Sequence, residues 1–100
     1  MLIHLVLFKL HPDLSPEERE AFRQGLESLR DIPGVVQLWM GPPAATPPRP
    51  VVIRDYDIGL VVCLGDTAAH DAYQEHPVHQ AFVATFKPCW ERITVVDVDA

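Results

Sequence analysis

The sequence predicts an α+β fold with the order β-α-β-β-α-β, the ferredoxin-like arrangement of four antiparallel strands with helices on one face. Three observations lead there. Apolar, β-branched runs alternate with capped helical stretches in that order. Proline or glycine marks most junctions. The chain has 100 residues, 48% of them hydrophobic and 22% charged, which suits one globular domain over residues 1–100 and leaves no room for a second core.

Residues 2–10, LIHLVLFKL, form an almost continuous apolar run and read as the first strand. His11-Pro12-Asp13 turns the chain. Ser15-Pro16-Glu17-Glu18 starts a helix, with Ser15 as N-cap, Pro16 at the first helical position and Glu18 completing a capping box. Phe22, Leu26 and Leu29 repeat at helical spacing, and Asp31-Ile32-Pro33-Gly34 ends the helix. Residues 35–40 read as the second strand. Residues 41–55 carry five of the ten prolines and read as an extended surface loop, because proline lacks the donor a sheet ladder needs. Residues 57–64 make the third strand. Asp66 or Thr67 caps a second helix through Ala68, Ala69, Ala72 and Tyr73, which breaks at Pro77. A further helical stretch from Val78 aligns His79, Phe82, Val83 and Phe86 on one face, and Pro88 closes it. Residues 91–98 form the fourth strand.

The first and third strands are apolar on both sides. Leu2, His4, Val6 and Phe8 face one way, and Ile3, Leu5 and Leu7 the other; Ile58, Leu60, Val62 and Leu64 oppose Gly59, Val61 and Cys63. An antiparallel sheet with one solvated face alternates apolar with polar residues. Helices can cover only one side here. A second copy packed sheet to sheet supplies the missing cover, so a homodimer is expected. Trp39 and Trp90 are expected to anchor the core or that interface.

Charge and composition narrow the function. Eight basic residues against 14 acidic ones give a net charge of -6, so no nucleic-acid partner is expected. No apolar run reaches the ~20 residues of a membrane helix. The first residues lack a basic segment with a cleavage site, which makes the cytoplasm the expected compartment. Cys63 and Cys89 form no metal-binding or redox pattern and read as reduced packing residues. Nothing matches a phosphate loop, a nucleotide fingerprint or a nucleophile elbow.

The segments His4-Leu5-Val6-Leu7-Phe8-Lys9, Ile32-Pro33-Gly34-Val35, Tyr56-Asp57-Ile58-Gly59-Leu60-Val61-Val62, Tyr73-Gln74-Glu75-His76-Pro77-Val78-His79 and Trp90-Glu91-Arg92 together resemble the stress-responsive A/B barrel (Dabb) family. The resemblance runs through nearly the whole chain, and His76-Pro77-Val78-His79 is its most specific part. It implies a homodimeric α+β barrel of two ferredoxin-like halves. In the family's plant polyketide (olivetolic acid) cyclase branch, a histidine acts as base and a tyrosine assists an intramolecular aldol condensation. Those positions correspond to His79 and Tyr73 here, and His4 matches a pocket histidine. Ile58 and Gly25 stand where that branch has a histidine and a tyrosine. Some members hold a cation on backbone carbonyls at positions that correspond to Leu29, Ile32 and Val35.

Independently of the resemblance, the spacing of His79 with Phe82, Val83 and Phe86 turns its imidazole toward the sheet. An imidazole in an apolar pocket stays neutral and is a competent general base. The catalytic candidates are thus His79, Tyr73 and His4. Two readings stand side by side. One is an enzyme abstracting a proton next to a carbonyl in a small apolar ligand, as a cyclase, lyase or isomerase does, with a cofactor-free oxygenase as a sub-option. The other is a non-catalytic, stress-responsive dimer that binds a ligand or partner, in which His79 serves a backbone carbonyl. His76 is expected to satisfy free carbonyls at a helix end, and His11 and His70 to lie at the surface. His4, His76 and His79 make a conceivable metal triad, but a facial site normally brings a carboxylate, and Asp57 or Asp97 would have to point inward. No metal or cofactor is expected.

Overall fold

A computed structural model describes all residues 1–100. The elements are β1 (Leu2–Leu10), α1 (Pro16–Ser28), β2 (Val35–Gly41), β3 (Ile58–Leu64), α2 (Thr67–Glu75), α3 (Pro77–Phe86) and β4 (Trp90–Asp99), with single 3-10 turns after α1 and α3. The strands form one antiparallel sheet in the order β2-β3-β1-β4. This is the ferredoxin-like topology the sequence predicts, with strand ends within a residue of expectation.

The local signals act as their chemistry requires. Ser15 Oγ accepts from the Glu18 amide at 3.1 Å, and Glu18 Oε1 accepts from the Ser15 amide at 3.0 Å, closing the capping box. Asp66 is the cap of α2, its carboxylate accepting from the Ala69 amide at 2.8 Å. Gly34 adopts φ 95°, which an L side chain rarely tolerates, and so turns the chain into β2. Val36 is squeezed out at a register shift in β2 and stands exposed.

His76 departs from expectation. It caps the N-terminus of α3, its Nδ1 accepting from the Val78 amide at 3.1 Å. Pro77 explains this: it starts a new helix, and the orphan groups at a helix start are donors that need an acceptor.

Alternation decides the core. From β1, Val6, Phe8 and Leu10 point under the helices, joined by Leu60, Val62 and Leu64 of β3, Phe22 and Leu26 of α1, and Phe82 of α3. An aromatic cluster runs through it: Phe8 meets Phe22 edge-on at 5.1 Å, and Trp90 stacks on Phe82 at 6.1 Å. Gly25 lets α1 and α3 approach, since a Cβ there would lie 2.4 Å from the Phe86 ring. Cys63 is buried, Cys89 half-buried, and neither is in a disulfide.

The helices cover little of the edge strand β4, and no helix covers the opposite face of the sheet, where only Pro42, Ala44 and Tyr56 of the long loop border one side. Across that open face run Trp39, Val61, Leu5 and Val96 in register, one from each strand, flanked by Ile3, Leu7 and Val98. Trp39 is 54% exposed. No helix is long and apolar enough to cross a membrane. The proline-rich segment is largely exposed. Its last residues are tied to the sheet: the Asp57 amide donates to the Phe8 carbonyl at 2.8 Å, and Asp57 Oδ2 accepts from the Leu10 amide at 2.7 Å. That backbone contact satisfies Asp57 at the far end of β1.

Candidate functional site

A cavity of about 300 Å³ lies between the helix side of β1 and β4 and the inner faces of α2 and α3. Its walls are mainly apolar, from Val6, Phe8, Leu60, Phe82, Val83, Trp90, Ile93 and Val95, and its polar groups are His4, Tyr73, Gln74, His79 and Lys87. The volume is at the small end of ligand pockets. All three sequence-predicted candidates, His79, Tyr73 and His4, line this one space.

His4 reaches it because it shares the inward side of β1 with Val6 and Phe8. It is the one buried polar residue, 4% exposed. Register places Asp97 of β4 directly across from it, and Nδ1 lies 2.5 Å from Asp97 Oδ1. A carboxylate there requires the proton on Nδ1, leaving the lone pair of the neutral ring on Nε2. Gln74 Nε2, 3.5 Å from that nitrogen, is placed to donate to it. The inward turn of Asp97 follows from strand alternation, in phase with Ile93 and Val95.

Tyr73 is 1% exposed and is the central member. Its ring centroid lies 6.0 Å from that of His4 and 4.8 Å from that of His79. Burial pushes the phenol well above its ordinary value of 10.0, so it stays protonated and serves as a donor. His79, half-buried on α3, is driven below its ordinary 6.5 mainly by burial, then by the nearby His4 ring; the Gln74 backbone opposes this, and His70 adds a smaller downward push. The break at Pro77 re-aims α3 so that His79 meets Tyr73.

His70 is placed differently from its expected surface position. It is half-buried on α2, with its ring centroid 5.1 Å from that of His4. Its spacing to Tyr73, i to i+3, is the signal in the sequence that points there, since it puts both on one helix face. His76, occupied as a helix cap, does not join His4 and His79. Ile58 lies near Met40 and Gly41 at another pocket, and Gly25 is filled by Phe86, so neither position lines the histidine cavity. Leu29 and Ile32 carbonyls accept from the Ile32 and Val35 amides at 3.2 Å each, and each keeps one lone pair.

Comparison with known proteins adds the lineage. The profile of the stress responsive A/B barrel domain (Dabb) matches residues 2–100. No curated protein matches the chain in sequence. Among solved structures, a Dabb family protein with a ferredoxin-like fold from Mesorhizobium loti is 28% identical, with TM-score 0.81, over 99% of this chain and 95% of that one. A dimeric ferredoxin-like protein of unknown function from Jannaschia is 27% identical, with TM-score 0.76, over 99% and 98%. The hydroxynitrile lyase of Passiflora edulis shares the fold at 18% identity and TM-score 0.80, over 97% and 90%.

Proposed function

The chain belongs to the stress responsive A/B barrel domain family, and from that premise we propose that it is a homodimeric small-molecule enzyme abstracting a proton next to a carbonyl. The observation that carries this is the convergence of Tyr73, His79 and His4 on one apolar cavity of about 300 Å³. In this reading neutral His79 removes the α-proton. The Tyr73 hydroxyl donates to the carbonyl oxygen as negative charge develops there. Asp97 holds His4 in the tautomer whose Nε2 can accept a proton. The substrate class is a small, largely apolar carbonyl compound, turned over in a cyclase-like or lyase reaction; the Passiflora hydroxynitrile lyase shares this fold.

The dimer belongs to the same proposal, supported by the uncovered row Trp39–Val61–Leu5–Val96 and by the dimeric state of the Jannaschia neighbour. A cytoplasmic location is proposed on the two free cysteines. A non-catalytic ligand-binding dimer is favoured by one observation, the mainly apolar lining of the cavity, which can hold a ligand without turning it over.

Exchange of α-protons for deuterium in a panel of small β-dicarbonyl compounds, followed by NMR, separates the two. Catalysed exchange abolished in His79→Ala and lowered roughly 100-fold in Tyr73→Phe supports the enzyme. No catalysed exchange supports the binding module.

A further inference from the structure

We propose that His4, His70 and Asp97 form a binding site for one divalent transition-metal ion. The three residues come from β1, α2 and β4, and one ligand atom from each lies within 4.8 Å of the other two. Such a site goes beyond the proton chemistry proposed for His79 and Tyr73 and does not depend on it; an ion on Nδ1 leaves the ring proton of His4 on Nε2, so the acceptor role given to that nitrogen belongs to the metal-free protein.

The donor set determines the class of ion. Two imidazoles and one carboxylate suit Zn²⁺, Co²⁺, Ni²⁺ or Fe²⁺, whereas Mg²⁺ and Ca²⁺ prefer all-oxygen shells. Ligand bonds of about 2.0–2.2 Å set neighbouring donor atoms roughly 3–3.5 Å apart. The His4–Asp97 separation of 2.5 Å therefore widens slightly on loading, as the ion replaces the proton between them. The wider spacing closes by rotation of the His70 side chain, which has room because it is only half-buried.

The surroundings fit a metal better than a chance cluster. His70 Nδ1 is 3.1 Å from Asp71 Oδ1, which holds the proton on Nδ1 and leaves Nε2 to bind. A carboxylate behind a ligating imidazole is the usual second layer of such sites. His4 is rigidly buried while the Asp97 side chain is 42% exposed, so one ligand is preorganised and the ion has a path in from solvent. Three protein ligands leave coordination positions free beside the cavity that His4 lines. The ion would also clip α2 to the thinly covered edge strand β4.

The test is a titration of chelator-stripped protein with Co²⁺, read by visible d–d absorption, and with Zn²⁺, read by calorimetry. The expected result is one saturable ion per chain. His70→Ala and Asp97→Asn should each weaken it more than tenfold, and Asp71→Asn by roughly tenfold as its second-layer support is lost. His11→Ala, which removes an imidazole outside the cluster, should leave affinity unchanged. His70→Gln repeats the test should the alanine variant misfold by circular dichroism. Absence of saturable binding, or binding indifferent to both ligand substitutions, overturns the site.

Discussion

Leu5→Asp is the substitution that best separates the dimer from a monomer with a tolerated apolar face. Leu5 stands at the middle of the open face, between Val61 and Val96 in register. Burying a leucine stabilises by about 2 kcal/mol. Two-fold symmetry doubles that loss, to roughly 4 kcal/mol, or about a thousandfold in the dimer dissociation constant. Two aspartates brought together in an apolar interface add a desolvation penalty to this. The isolated fold loses little, because Leu5 points away from the helix-side core. Sedimentation equilibrium should give about twice the 11.2 kDa chain mass for the parent protein and a single chain mass for the variant, with an unchanged far-ultraviolet spectrum. A parent that sediments as a monomer, or a variant that dimerises as tightly as its parent, refutes the argument from two-sided patterning.

Gly25→Ala should destabilise the protein by about 1 kcal/mol, since overpacking costs ~1–3 kcal/mol and helix propensity returns ~1 kcal/mol; a raised melting temperature would mean that Phe86 yields freely. Replacing residues 42–50 with a short Gly/Ser linker should leave fold and dimer intact, because the polar ties of the loop to the sheet lie later, at Asp55 and Asp57, and Pro42 and Ala44 only border the open face. Loss of dimer by gel filtration would instead make that segment an interface element. His79 should titrate below 6.5 by NMR, in the direction burial dictates. Its folded value is depressed, so the stability it contributes is fully present above 6.5 and is lost as pH falls through the folded value. Denaturant melts across that window should be flatter for His79→Gln, and an equal pH slope in both proteins would contradict the assignment.

Local chemistry carries most of the fold. The capping box at Ser15 and Glu18, the break at Pro77 and the alternation in residues 2–10 each act within a few residues, so the chain alone specifies them. The same alternation makes both sides of β1 apolar, and that pattern by itself points to self-association. His79 and Tyr73 are legible in the sequence because helix periodicity orients a side chain toward the core. The role of His76 is not, because the sign of a helix end depends on which of two helices the residue joins. The His4–Asp97 pair and the approach of His70 are decided by the tertiary structure. Residues 4 and 97 meet through a register set by the whole β1–β4 ladder, and His70 reaches them only after α2 packs on the sheet. Sequence spacing is silent about contacts across 93 residues, whereas strand pairing and helix docking fix them to within a hydrogen bond.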